Sequence, residues 1–422
     1  MRFAIDAHAV GSRLTGNEVY IRNLLSEFAK LDDESEFIAY ISQPDAYHQA
    51  PGRFQKSWVS ANPYRRLGLD LPARLRRDRP ALVHVQYTAP LGCRAPVVAT
   101  VHDASFLECP QYFTPARALQ LRLTVGRTVA RAARILTPSE FSRQAILEHY
   151  RIDPSMVIVI PNGVSTAFRP LNREAAARQI AHTFDIHDPF VLTVGDLQPR
   201  KNHLGLLRAF ESVIRARPGL RHHLVLAGQE TWWSAEVHRA VERSTVRDRV
   251  HFTGFVADQD LIHLYGACDV FAFPSYYEGF GLPILEAMAC GRAVICSDTT
   301  AMPEVTSGAA LLVDPHSGEQ MGQALAGVLL DSELRLRLER AGPRRARSMS
   351  WERAARMTLD AYYEVAGAPA RHHEDCTGGG PGSSFTGGVP ALHHQLAERL
   401  ECGRSDPALR KGRGPVGLRN EH

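Results

Sequence analysis

Two glutamates, Glu278 and Glu286, stand eight residues apart in the run Ser275-Tyr276-Tyr277-Glu278-Gly279-Phe280-Gly281-Leu282-Pro283-Ile284-Leu285-Glu286. The run follows an apolar stretch, 270–273, that reads as a strand. It therefore sits at a strand's carboxyl end, where open parallel sheets bind ligands. Gly279 and Gly281 lack a Cβ, so the backbone can approach a bound molecule closely. Pro283 suits the first turn of a helix beginning near Gly281 or Leu282. The free amides and positive dipole end of that helix favour an anion such as a diphosphate. One carboxylate would then accept from sugar hydroxyls and the other from ribose hydroxyls. The contact set here is Glu278, Gly279, Phe280, Gly281, Leu282 and Glu286. The plainer reading is a solvated loop glutamate and a buried helix glutamate bonded to backbone; the glycine and proline setting favours a site.

A second candidate is Thr193-Val194-Gly195-Asp196-Leu197-Gln198-Pro199-Arg200-Lys201-Asn202, again between a strand and a helix expected from about His203. Arg200 and Lys201 can meet a diphosphate through charge-assisted hydrogen bonds. Cations at a helix start oppose the dipole, so the pair calls for a reason other than helix stability. Without the first candidate it would read as a solvated basic turn. In the N-terminal part, Gly11 to Glu18 links a first strand to a first helix and could cap a phosphate with glycine amides. Gly16 is the expected backbone contact. Val101-His102-Asp103 follows another strand, with Asp103 placed to orient the imidazole or to cap a turn.

These segments need a scaffold of parallel strands. Strand-like runs at 3–5, 82–85, 97–101, 135–137 and 157–160 alternate with helical stretches at 19–30, 115–132 and 140–149. Ser139 stands where an N-cap belongs. The alternation resumes with 190–194, 223–227, 250–252, 270–273, 293–296 and 311–313. Such a pattern predicts parallel sheets covered by helices on both faces. Pro161-Asn162-Gly163-Val164 and Phe168-Arg169-Pro170 mark a break. The expected domains are 1–165 and 166–350, with an amphipathic helix at 351–366 returning to the first. Residues 370–422 are rich in Gly, His and Arg and are expected to be a disordered tail, apart from a short helical stretch at 392–400.

The chain has 422 residues, 44% hydrophobic and 22% charged, which is enough for two cores and fits a globular protein. No run reaches the ~20 apolar residues that cross a bilayer. Seven scattered cysteines without a Cys-x-x-Cys pair fit a reduced, cytoplasmic setting better than a disulfide framework. A net charge of +4 is too mild to imply nucleic acid. No His/Cys cluster has metal-ligand spacing. His222-His223 and His372-His373 have no obvious partner in the sequence.

Taken jointly, these segments resemble the retaining glycosyltransferase family 4, of the fold called GT-B, across about residues 1–366. Further matching segments are Val250-His251-Phe252-Thr253-Gly254-Phe255-Val256 and Pro161-Asn162-Gly163-Val164. The resemblance implies two Rossmann-like domains facing across a cleft and a nucleotide-diphosphate sugar as donor, with no metal or cofactor. It implies that Arg200 and Lys201 neutralise the leaving diphosphate, Glu286 holds the ribose and Glu278 the transferred sugar. Backbone at Phe255 and Val256 would face the nucleobase, Gly16 and Gly195 would lie against the donor, and His102 near its sugar. Many members carry Gly-Arg where this chain has Gly195-Asp196, so the resemblance leaves a third basic contact to the phosphate open. Leu197 to Asn202 loosely resembles mannosyl-transferring relatives, which points to GDP-mannose and a glycan or lipid-linked acceptor. Alternatives are a sugar-nucleotide epimerase or hydrolase of the same fold, and a silent nucleotide-sugar-binding module.

Arginines crowd the first domain: Arg65, Arg66, Arg74, Arg76, Arg77 and Arg79, then Arg117, Arg122, Arg127, Arg131 and Arg134 along the helix after Pro115. With Leu119, Leu121, Leu123 and Val125 on the same helix, they could rest on the anionic inner face of a membrane. The alternative is a solvated basic face. No aromatic platform accompanies them, which argues against nucleic acid.

Overall fold

Runs of Val, Ile, Leu and Phe buried on both faces form most of the strands, as parallel sheets require. The computed structural model describes residues 1–12 and 15–368. In the first domain the strands are β1 (Arg2–Asp6), β2 (Glu36–Ile41), β3 (Gln55–Trp58), β4 (Leu82–Gln86), β5 (Val97–Thr100), β6 (Arg134–Thr137) and β7 (Val157–Val159). They pair in the order β3-β2-β1-β4-β5-β6-β7, all parallel. The second sheet holds β8 (Phe190–Val194), β9 (His223–Ala227), β10 (Val250–Gly254), β11 (Val270–Phe273), β12 (Ala293–Ser297) and β13 (Leu311–Val313). Its order is β10-β9-β8-β11-β12-β13, also all parallel. In each sheet the order reverses once, between β1 and β4 and between β8 and β11. A crevice opens at such a switch point, beyond the carboxyl ends of the strands. The fold class is the expected one, two Rossmann-like domains.

Alternation along the strands divides the first core. Phe3 and Ile5 pack with Leu24 and Phe28 of the helix Thr15–Leu31 on one face. Ala4, Val83 and Val85 pack with Val125 and Val129 of the helix Pro115–Val129 on the other. The helix Trp351–Val365 closes the first face, burying Trp351, Leu359 and Tyr362 there. The second domain has its own core, which takes in Ala176 and Ile180 of the helix Arg173–Phe184. Two segments carry the chain between the domains, and they run side by side where Val164 bridges Ser350.

Strands β2 and β3 were not anticipated. Phe37, Ile38, Ala39, Tyr40 and Ile41 are all buried, so β2 was readable as an apolar run. The other, Gln-Lys-Ser-Trp, is a polar edge strand without apolar alternation. The basic helix is shorter than 115–132, ending at Val129. Ser139 does cap the helix Glu140–Tyr150, accepting from the Ser142 amide. The expected tail and the stretch 392–400 lie outside the described residues.

Candidate active site

At the end of β8 the chain turns through Gly195 and Asp196 into a single 3-10 turn, Pro199–Lys201. Asn202, at φ 57°, closes that turn and caps the next helix, His203–Ala216, by accepting from the Gly205 amide at 3.1 Å. Its Nδ2 donates to the Pro315 carbonyl at 2.8 Å, which pins the turn to the second domain. Arg200 and Lys201 therefore precede the helix rather than opening it, and the Glu278 carboxylate offsets the charge they place at its positive end. A Cβ on Gly195 would lie 3.1 Å from Lys201 Cε, so the glycine leaves room for the lysine stem. The Lys201 ammonium sits 4.7 Å above the Phe273 ring.

Both cations converge on the neighbouring loop, 274–281. Arg200 Nη1 is 2.8 Å from Glu278 Oε2, and Lys201 Nζ is 2.8 Å from Glu278 Oε1. Arg200 also donates to the Tyr277 carbonyl, and its own carbonyl accepts from the Tyr276 amide. Burial alone would raise the Glu278 carboxyl, but Arg200 and then Lys201 outweigh it and hold the group at about 2. Glu278 is therefore a fixed carboxylate between two cations, not a solvated loop glutamate. Its amide donates to Thr300 Oγ1 at 3.2 Å. Thr300 has φ 61°, uncommon for a β-branched residue and a mark of a held loop.

Beyond Glu278, Gly281 at φ +102° turns the backbone into the helix Leu282–Ala289, which no side chain among the described residues caps. That leaves an N-terminus whose amides can meet an anion. Phe280 is buried in the core, and Leu282 packs between the cores of both domains. In the second turn of this helix Glu286 is buried, its Oε2 accepting from the Tyr265 hydroxyl at 2.9 Å. Its partner is thus a phenol, not the backbone. Burial pushes its carboxyl up to about 7, against the Tyr265 bond. Nearby, Arg22 of the first domain pairs with Asp258 of the second at 2.5 Å.

The first domain meets this loop edge to edge. A Cβ on Gly279 would lie 2.2 Å from the His102 carbonyl oxygen, so only glycine fits. Ser139 Oγ donates to the Gly279 carbonyl at 2.7 Å, and Ser142 Oγ lies 3.1 Å from the His102 carbonyl. His102 is half-buried, with Nε2 2.9 Å from Gln86 Oε1 and Tyr20 edge-on at 4.7 Å between ring centres. Asp103 does not orient the imidazole by a hydrogen bond: its Oδ1 accepts from the Ser105 amide and hydroxyl at 3.0 and 2.7 Å. Gly16 is exposed in the first turn of the helix Thr15–Leu31, whereas the Gly11 amide is already bound by Glu18 at 2.9 Å. Arg13 and Leu14 of that loop lie outside the described residues. Phe255 and Val256 follow β10, with Phe255 largely exposed and Val256 packed on the second core.

Some sequence readings need correcting. His222 Nε2 lies 3.1 Å from Asp269, and His223 Nδ1 2.6 Å from His251 Nε2, so both have partners at the amino end of the second sheet. His372 and His373 lie outside the described residues. Arg66 is not part of an exposed basic face: it is buried 3.6 Å from Asp6. The sequence also holds an Asp-x-Asp pair, Asp258-Gln259-Asp260, at the start of the helix Asp258–Ala267, with Asp258 committed to Arg22. Among the described residues no three His, Cys, Asp or Glu side chains gather to hold a metal ion. Gln86, Tyr20, Tyr265, Thr300, Ser139 and Ser142 were missed as site residues. They are ordinary types far apart in the chain, and only Ser139 carried a signal, as a cap.

Two cations and an uncapped helix start facing one cleft suit a polyanionic leaving group, and the fold defines a two-domain GT-B glycosyltransferase class. Solved structures share that fold. WaaG, a glycosyltransferase involved in lipopolysaccharide biosynthesis, aligns with a TM-score of 0.67 at 17% identity, over 87% of this chain and 100% of that one. Anabaena HepE in complex with UDP-glucose aligns at 0.69 and 17%, over 86% and 99%. The family described as Glycosyltransferase Family 4 matches residues 14–168, and that described as Glycosyl transferases group 1 matches 177–345. O-antigen chain mannosyltransferase B of Escherichia coli is 33% identical over 266 residues, 63% of this chain and 69% of the relative. D-inositol 3-phosphate glycosyltransferase of Streptomyces bingchenggensis is 29% identical over 83% of this chain and 85% of its own length. The serotype-specific mannosyltransferase WbdA of Escherichia coli is 31% identical over 55% of this chain, which spans 29% of its length.

The chain belongs to glycosyltransferase family 4, on its mannosyltransferase-like side. Its activity is glycosyl transfer, and the epimerase, hydrolase and silent-module readings give way to it. No helix among the described residues is long and apolar enough to cross a membrane.

Proposed function

We propose that this enzyme moves a hexose, mannose, from a nucleotide-diphosphate sugar, GDP-mannose, to a glycan or lipid-linked acceptor with retention of configuration. The observation that carries the reading is the convergence of Arg200 and Lys201 on Glu278 beside the uncapped helix start at Gly281. Cleaving the anomeric bond puts negative charge on the diphosphate and positive charge on the sugar. Fixed cations and amides aimed at the diphosphate stabilise that separation without reorganising. Glu278 is held ionised and can accept from the sugar hydroxyls; Glu286 takes the ribose. Gly195, Gly279, Phe280 and Leu282 shape the second-domain wall, Gly16 offers backbone from the first domain, and Phe255 and Val256 border the base. His102 contacts the sugar. The mannose reading draws on relatives named as mannosyltransferases.

On the acceptor side, Leu119 and Leu123 are exposed on the helix Pro115–Val129, 58% and 64% accessible, beside exposed Arg117 and Arg122. Between residues 63 and 134 twelve arginines stand against four acidic residues. An anionic membrane surface carrying a lipid-linked acceptor suits that combination, with the enzyme peripheral to its cytoplasmic face.

Lys201→Ala and Arg200→Ala, each checked for folding by thermal unfolding, are assayed for sugar transfer from GDP-mannose and from UDP-glucose. We expect turnover to fall by ~10²–10³. Near wild-type turnover in both folded variants sinks the site. Preferred use of UDP-glucose overturns the mannose reading alone.

A further inference from the structure

His102 is held from two sides, by Gln86 and by the Tyr20 ring. Gln86 ends β4 at the first sheet's switch point and is buried; its Oε1 lies 2.9 Å from His102 Nε2. The Gln86 amide nitrogen has no hydrogen-bond partner among the described residues. The contact to His102 is thus what fixes this side chain. With its amide oxygen toward the ring, Gln86 accepts, and the ring nitrogen facing it then carries the proton.

The ring plane is fixed from further away. Tyr20 stands edge-on to His102, and its hydroxyl is 2.9 Å from Thr100 Oγ1. Thr100 Oγ1 is 2.7 Å from His84 Nε2, and His84 Nδ1 is 2.5 Å from the Tyr362 hydroxyl on the returning helix. The titratable groups around His102 are Asp103 on its own loop, His84 on β4, and the phenols of Tyr20 and Tyr87. Arg200 lies beyond, in the field of Asp103. Burial pushes the His102 imidazole down to about 4, with Asp103 opposing it.

The geometry points to Gln86 as a positioning residue. It fixes His102 in the Nε2–H tautomer, so that Nδ1 presents its lone pair to a hydroxyl of the transferred sugar. This rests on the reading of His102 as a sugar contact. A neutral imidazole has one donor and one acceptor, and the bond at one nitrogen decides the role of the other.

The test begins with the unmodified chain. Nitrogen-15 NMR of histidine-labelled protein, with the His102 signals assigned by their loss in His102→Gln, reads the tautomer directly. We expect the proton on Nε2 and no titration above pH 5. In Gln86→Glu the carboxylate pairs with the imidazole and raises its titration point. Turnover with saturating donor should then gain an acid limb, falling as pH drops through that point. Gln86→Met, which removes the acceptor, should lose about tenfold or more in turnover at every pH. A proton on Nδ1 in the unmodified chain overturns the proposal and leaves the sugar-contact reading standing. A raised His102 titration in Gln86→Glu with an unmoved rate profile sinks the sugar-contact reading, and the proposal with it.

Discussion

The molecule uses basic side chains in two opposed ways. In the second domain Arg200 and Lys201 are 16% and 14% exposed, and both are spent on Glu278. In the first domain Arg117, Arg122 and Arg131 stand in solvent around exposed leucines. A buried cation is a geometric device, because its partner sets its position and its field is barely screened. An exposed cation is a contribution to a field that salt erases within about 10 Å. The first kind fits a single ligand at a fixed distance; the second fits an extended charged surface.

The largest effect that could break this contrast comes from Glu278→Gln. Removing the carboxylate leaves two buried cations without their shared partner, at a cost of about 3–5 kcal/mol in stability. A nucleoside diphosphate should restore the missing charge. Thermal unfolding with and without it is therefore expected to show greater ligand stabilisation in the variant than in the parent. Equal shifts in both would mean that the cations do not face the diphosphate.

Glu286 gives an intermediate effect with a defined pH dependence. Its carboxyl titrates at about 7 in the folded chain against 4.5 ordinarily. Between those values the folded state holds a proton that the unfolded state has lost, so stability falls as pH rises through this window. The loss, about 3 kcal/mol, is complete above pH 7. Glu286→Gln should unfold at a higher temperature than the parent at pH 8 and at nearly the same temperature at pH 4.5. A constant difference across that range would contradict the burial of this carboxyl.

The smallest effect belongs to the exposed arginines. Arg122→Ala with Arg131→Ala should leave stability within ~0.5 kcal/mol and transfer to a water-soluble acceptor unchanged. Sedimentation with vesicles containing anionic lipid should fall, most clearly at low salt. Equal sedimentation by parent and variant would remove these arginines from any membrane role.

The second domain was the more legible half. Its two loops each lie within a dozen residues, and strand, glycine, charge and helix start follow in order, so the switch point could be read locally. The first domain's share of the cleft is assembled from Tyr20, Gln86, His102, Ser139 and Ser142, each ordinary in its local sequence. Gln86 looks like any strand-end glutamine until β4 and β5 are paired and His102 comes to lie opposite it. Likewise β3 escaped notice because an edge strand can be polar and still complete a ladder. The pairing of Glu278 with both cations was also hidden, since it depends on how the turn after β8 is pinned by Asn202.

The first lobe is discontinuous in the chain: Trp351 and Tyr362 complete a core begun by Phe3 and Ile5. During synthesis that core cannot close when its own strands have left the ribosome. At ~5–20 residues per second the wait for the last helix is roughly 10–40 s. The later lobe, contiguous in sequence, can mature first. A nascent chain stalled before residue 351 should therefore expose a hydrophobic face that chaperones can hold.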